Sequence, residues 1–367
     1  MEQKEKISGT QVSMLLFVVV TSTIIIYVPS FTASEAKESA WLAASIIPFA
    51  FGCLTLWVVY KLGSSFPTLT IFQSCEVIMG KFLGKSLGLT YVVFLLFMDV
   101  LVLREFSDFL NVTTLPLTPR IWLLTGIVVL ATYGAYQGLE VIARAVQFIL
   151  GIYLLGFTIV VLFALTNFEV GRLLPVMEDG LVPIIRGSIA PASWYGEICL
   201  LSVLFPFVKK PAELKKKGLI VLIAIALFVT IDVVMTLGVL GAGLTSAYTL
   251  SFWTLTRSIE IGEVAQRLES FLLVIWISGI IIKAAVLNNL ICLGITQVFG
   301  RKTNVVLGIV AFLELFISAN LGNVLLVNVI LSSYWPPVGI VFELVIPTFL
   351  LVIRGVRDKF SSKVRGA

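Results

Sequence analysis

Histidine is absent from the chain, which removes the commonest general base and metal ligand, and with it most hydrolase and zinc chemistry. Charge is scarce too: Asp, Glu, Lys and Arg make up 13% of the 367 residues, where a soluble domain carries about 25%. Cysteine is limited to Cys53, Cys75, Cys199 and Cys292, far apart and without a C-x-x-C pair. Neither a disulfide framework nor a thiolate metal site is expected, and the four read as inert apolar filler. No nucleophile with its base stands out, so an enzyme, a cofactor and a metal are all disfavoured. No cleavable signal is evident, because the first apolar run belongs to the repeating pattern of spans.

What is present is apolar: 59% of the chain is hydrophobic, and no stretch is polar enough to form the surface of a soluble domain. Crossing a bilayer takes about 20 mostly apolar residues as a helix, and helices are favoured because lipid cannot satisfy free backbone groups. The expectation is an all-α integral membrane protein with ten transmembrane helices. The spans run from Thr10 to Val28, Trp41 to Tyr60, Leu87 to Leu103, Ile121 to Tyr136, and Ala145 to Leu165. The second five run from Gly187 to Val208, Gly218 to Leu240, Leu272 to Leu293, Val305 to Ala319, and Tyr334 to Ile353.

Lys and Arg are retained on the cytoplasmic side during insertion. Lys4 and Lys6, then Lys61, Lys81 and Lys85, then Arg144 fall on one side of these spans. So do Lys209, Lys210, Lys215, Lys216 and Lys217, then Arg301 and Lys302, then the tail with Arg354, Arg357, Lys359, Lys363 and Arg365. Both termini are therefore expected in the cytoplasm. The net charge of +5 reflects basic loops facing anionic lipid, and nucleic-acid binding need not be invoked. Thr68 to Lys85 reads as an amphipathic interfacial helix. Thr166 to Arg186 reads as a loop or short helix packed over the outer mouth.

Transporter folds bind ligands at mid-membrane, where helices in matching positions of two inverted halves are unwound. Thr21, Ser22 and Thr23 interrupt the first span, and Pro191, Ser193, Trp194, Tyr195, Gly196 and Glu197 the sixth, five spans later. This spacing suits a five-plus-five inverted repeat with broken helices 1 and 6. The blander alternatives stay open: the hydroxyls bond back to their own helix, and Pro191 merely kinks its own.

Ionisable groups inside spans are expensive and mark candidate sites. Six are expected at depth: Asp99, Glu197, Asp232, Lys283, Glu314 and Glu343. Lys283 either stands in for a sodium ion beside the first span or forms a structural ion pair with Asp99 or another acid. Arg104 and Asp108, at i,i+4 spacing, read as a solvated bridge worth under about 1 kcal/mol.

The chain resembles the spore germination permease family, the B subunits of nutrient germinant receptors. The likeness rests on KISGTQ before the first span, on SCEVIMGKFLGK, and on LLPVMEDGLVPIIRG leading into the sixth span. It continues with GEICLLSVLFPFVKKP at that span's exit and RLESFLLVIWISGIIIK at the eighth. The family is similar to permeases of the amino acid, polyamine and organocation superfamily. The resemblance implies a leucine-transporter-like fold, with residues 1–165 and 166–355 as its repeats and 356–367 as a basic tail. It implies a sensor in the spore inner membrane that binds a small nutrient, often an amino acid, and works with a membrane-bound A subunit and a lipoprotein C subunit. The first break lacks the glycine that many superfamily members carry. The ligand site implied combines Thr21, Ser22, Thr23, Ser193, Trp194, Tyr195, Gly196 and Glu197, with Lys283 and Asp99 in the coupling role. Phe94, Phe97 and Trp276 are candidates to contact the ligand side chain, or are packed in the core or against lipid. A proton-coupled amino acid transporter, or an ion or water conduit opened during germination, are the competing readings.

Overall fold

The computed structural model describes residues 6–258, 262–300 and 303–365, so Lys4, Glu260, Arg301 and Lys302 lie outside the described residues. The helices, in chain order, are α1 (Gly9–Ala36), α2 (Ala40–Ser65), α3 (Ile71–Met79), α4 (Lys81–Thr113), α5 (Arg120–Gln137) and α6 (Leu139–Ala164). Then come α7 (Leu181–Gly187), α8 (Ile189–Gly196), α9 (Leu201–Leu204), α10 (Leu214–Ala247) and α11 (Ser251–Arg257). The last are α12 (Gly262–Phe299), α13 (Thr303–Asn320), α14 (Val324–Val329), α15 (Trp335–Ile340) and α16 (Ile346–Arg365). Each expected span lies on helix, to within a residue or two at its ends. Seven helical runs among the described residues are long and apolar enough to cross a bilayer, and the first, Gly9–Ser65, holds both α1 and α2.

The core is built around α1. Its start is fixed by a capping box in which Ser8 Oγ accepts from the Gln11 amide (3.2 Å) and Gln11 Oε1 from the Ser8 amide (2.8 Å). From Leu15 to Ser30 every residue is buried, as befits a helix that is apolar on all sides and surrounded by others. It packs along α10 and also meets α2, α6, α8 and α12. The residues before it pair with the exit of the sixth segment: the Ile7 amide donates to Phe207 O and the Lys209 amide to Ile7 O, both at 2.9 Å. The entrance of α1 and the exit of the sixth segment therefore share one face.

Helix α1 is not broken. Its backbone is helical through Thr21, Ser22 and Thr23, which corrects the expected first break. Hydroxyls of this kind satisfy themselves on carbonyls of the preceding turn, so a polar triplet need not unwind its helix. The sixth segment is interrupted, but gently: α8 passes into a 3₁₀ turn at Glu197–Leu200 before α9. Pro191 falls in the first turn of α8, where a missing N–H costs nothing. The tenth segment carries two π-helical stretches, Ile330–Tyr334 and Val341–Val345, that sit just before Pro336 and Pro347. Each proline withdraws an amide from the helical ladder, which is then spaced more widely.

Of Thr166 to Arg186, the first part forms short 3₁₀ turns against α10, where the Glu169 amide donates to Gly238 O (3.0 Å) and Arg172 donates to Val239 O, and the last part is α7, which packs on α1 and α2. The expectation for Arg104 and Asp108 is overturned. Their side chains are 0% and 5% exposed, because α4 continues to Thr113 and carries both into the bundle. Arg104 Nη2 pairs with Asp108 Oδ2 at 3.2 Å and donates to Gly322 O at 2.9 Å, while Nη1 donates to Ser318 O at 3.2 Å. Arg120 holds the other carboxylate oxygen at 3.0 Å. The guanidinium thus closes the carbonyl end of α13 onto α4. Replacing Arg104 with Met is expected to cost about 3 kcal/mol in detergent unfolding. Arg104→Lys should recover only part of it, because an ammonium cannot span the two carbonyls and the carboxylate.

Candidate functional site

The triplet in α1 divides its partners between two sides. Thr21 Oγ1 donates back to Phe17 O (2.7 Å) and Ser22 Oγ to Val19 O (3.2 Å). Their carbonyls face α6 and α12: Tyr153 OH donates to Thr21 O (3.1 Å) and Trp276 Nε1 to Ser22 O (2.7 Å). Thr23 turns the other way. Its hydroxyl accepts from Lys283 Nζ at 2.8 Å and from Trp194 Nε1 at 3.0 Å, joining α1, α12 and α8 at one oxygen.

Lys283 also donates to both oxygens of Glu197, at 2.7 and 2.9 Å. The two side chains are 1% and 3% exposed. An ammonium has three N–H donors, and here all three are filled, by two carboxylate oxygens and one hydroxyl. The cation at depth therefore pairs with the acid of the sixth segment and not with Asp99. Asp99 of α4 instead faces the carboxyl of Glu314, which accepts from Asn288 Nδ2 at 2.7 Å.

Beside this pair lies a small cavity of about 10 Å³, roughly the room one water needs. Thr23, Trp194, Glu197 and Lys283 form one wall, and Met98, Leu101, Val102 and Glu105 of α4 form another, closed by Leu331 and Trp335. Glu105 is 2% exposed and its Oε2 has no hydrogen-bond partner among the described residues. Glu343 is fully buried with neither oxygen partnered among the described residues, and it presses on the sixth segment so closely that a Cβ on Gly196 would collide with Oε2. The Lys283 ammonium thus bonds only one of three buried carboxyls, that of Glu197.

Of the residues expected at the site, Thr23, Trp194, Glu197 and Lys283 converge. Thr21 and Ser22 support the wall from behind. Ser193 donates to Ala190 O (2.9 Å) and packs on Gly339, Gly196 meets Glu343, and Tyr195 packs against Gly52 of α2. Phe94 stacks between Trp335 (5.2 Å) and Phe342 (4.5 Å), and Phe97 lies 6.0 Å from Trp335. Trp276 joins Phe109 and Trp253 around a separate apolar cavity of about 40 Å³. Glu105 falls outside the expected third span, which ends at Leu103, whereas α4 continues to Thr113. The continuing apolar pattern of Phe106, Phe109 and Leu110, all buried, was the available signal.

The family model described as spore germination protein matches residues 6–324. Spore germination protein YndE of Bacillus subtilis (strain 168) is 27% identical over 300 residues, covering 81% of this chain and 82% of that protein. Spore germination protein KB of the same strain is 23% identical over 373 residues, covering 99% and 98%. Among solved structures, MhsT in complex with L-phenylalanine has a TM-score of 0.68 at 14% identity, over 93% of this chain and 89% of that one. MHP1, a nucleobase-cation-symport-1 family transporter in a closed conformation, has a TM-score of 0.65 at 12% identity, over 93% and 78%. At such identities the two transporters speak for the fold alone, whereas the match along the sequence speaks for descent: the chain belongs to the spore germination protein family.

Proposed function

We propose that this chain is the B subunit of a nutrient germinant receptor, a sensor that binds a small nutrient, an α-amino acid, in its permease-like core. The observation that carries this reading is the Glu197–Lys283–Thr23 junction beside the unpartnered Glu105. A zwitterion suits it: the ligand carboxylate goes to the Lys283 ammonium, and the ligand ammonium goes to Glu197 and Glu105. The shared fold supports the same class, since MhsT was solved with L-phenylalanine. In this scheme ten helices cross the membrane as two five-helix repeats, with both termini in the cytoplasm of the spore.

A cavity of about 10 Å³ is too small for any amino acid, so binding requires α4 and the α14–α15 region to move away from α1 and α8. Only a ligand that favours the opened state over the closed one shifts that equilibrium. The short α, 3₁₀ and π pieces of the sixth and tenth segments are suited to such movement, because their ladders are already interrupted. The membrane-bound A subunit and the lipoprotein C subunit would read the change. The transporter fold also supports a second reading, a proton-coupled amino acid transporter.

Purified protein should gain thermal stability with one or a few L-amino acids from a panel, by about 2.7 kcal/mol at a hundredfold excess over Kd. Lys283→Met should abolish that gain. Spores lacking the gene should lose the response to the same nutrient. Stabilisation by no amino acid, with germination unchanged across nutrients, would sink the proposal. Labelled ligand that binds but does not accumulate in proteoliposomes under a proton gradient separates receptor from transporter.

A further inference from the structure

A groove of about 630 Å³, far larger than the central cavity, lies between α1, α6 and α10 and opens toward the surroundings of the bundle. Met14 and Phe17 of α1 line its floor, and Leu150 and Leu154 of α6 face Ile220 and Leu227 of α10 across it. Away from its ends the one polar lining group on α6 is Thr158, whose hydroxyl is taken up by Leu154 O (2.8 Å). The charged end is the one where Lys217 Nζ donates to Thr10 Oγ1 (2.9 Å) and Ser13 Oγ donates to Lys217 O (3.3 Å). Lys217 has no carboxylate partner within ion-pair distance among the described residues; Glu213, one turn earlier, pairs with Lys210 at 3.8 Å, and Lys209, Lys215 and Lys216 are close to Lys217 in sequence.

We propose that this groove is a binding site for an anionic phospholipid, with an acyl chain along the α1 floor and the phosphate at Lys217 and Thr10. Three observations favour it. The groove is amphipathic along its length, as a lipid is, with its polar end on the face where the basic residues collect. That end carries the Lys217 ammonium, which has no ion-pair partner among the described residues, and a basic residue near the membrane surface attracts anionic lipid by about 1 kcal/mol. The walls are also wrong for a docking helix. Helix–helix contacts in lipid use small residues that let backbones approach, and here the walls are leucine, isoleucine and phenylalanine, with Ala224 among the few small exceptions.

The site bears on α1 directly. Phe17 lines the groove, and its carbonyl takes the Thr21 hydroxyl one turn further along, beside Thr23. A chain seated in the groove therefore fixes the helix that carries one of the three partners of Lys283.

The test is native mass spectrometry of the detergent-solubilised full-length protein, titrated with phosphatidylglycerol and with phosphatidylcholine of matched chains. Wild type should retain one phosphatidylglycerol in preference to phosphatidylcholine. Lys217→Gln should lower that preference about fivefold, the equivalent of one lysine at the surface. Ala224→Trp should reduce retention of both lipids, and Lys81→Gln, a basic residue away from the groove, should change neither. Should Ala224→Trp fail to fold, Leu154→Trp replaces it, since Leu154 is 39% exposed on the outer helix α6. Equal retention of the two lipids overturns the proposal. So does a preference that Lys217→Gln leaves intact, or a groove that holds neither lipid and instead takes a helix of a co-purified subunit.

Discussion

Lys283 and Glu197 meet at 2.7 Å with almost no exposure, and removing two such ions from water costs several kcal/mol for each. They are tolerable at this depth only because every donor of the ammonium is filled, the third by Thr23. That requirement fixes the register of three helices against one another. It also explains why Thr23 alone of its triplet leaves its own helix unbonded, and why Trp194 lies against the same oxygen. Glu105 and Glu343 add two more carboxyls without further cations, so the centre is poor in positive charge and rich in oxygen. A ligand bearing an ammonium would correct that imbalance.

The helices were legible because each needs about 20 apolar residues, a signal local to the chain. The family was legible for a similar reason: its motifs are continuous runs around the sixth span. The sixth-segment cluster was legible in part, since Trp194 and Glu197 do reach the cavity while Ser193, Tyr195 and Gly196 on the same short helix turn toward α15 and α2. Helical geometry makes that division inevitable, because consecutive residues point about 100° apart. The triplet in α1 misled for a different reason. Thr and Ser hydroxyls serve equally well in an unwound segment or bonded to the previous turn, and hydropathy does not distinguish the two.

Pairings between distant residues were the least legible. Lys283 had several acids within reach of a neighbouring span, and the choice of Glu197 over Asp99 depends on helix rotation that no local pattern records. Arg104 failed in the same way. An i,i+4 pair near a span's end normally lies in the headgroup region, but α4 runs ten residues past Leu103, and the charges were carried inside to close the end of α13. What surrounds the site is similarly split. One side is α1, a continuous helix buried from Leu15 to Ser30, and the other is made of short pieces in the sixth and tenth segments whose ladders change type. Motion is easiest on that second side.

The central claim is that the buried pair is one unit that holds α8 to α12, and a double-mutant cycle measures this most directly. Unfolding free energies of wild type, Glu197→Gln, Lys283→Met and the double variant in the same detergent give the coupling. A coupling of about 2 kcal/mol or more is expected, with the double variant more stable than the sum of the single losses implies. Single losses that add to within about 0.5 kcal/mol would mean that the two groups are independent, and would contradict it.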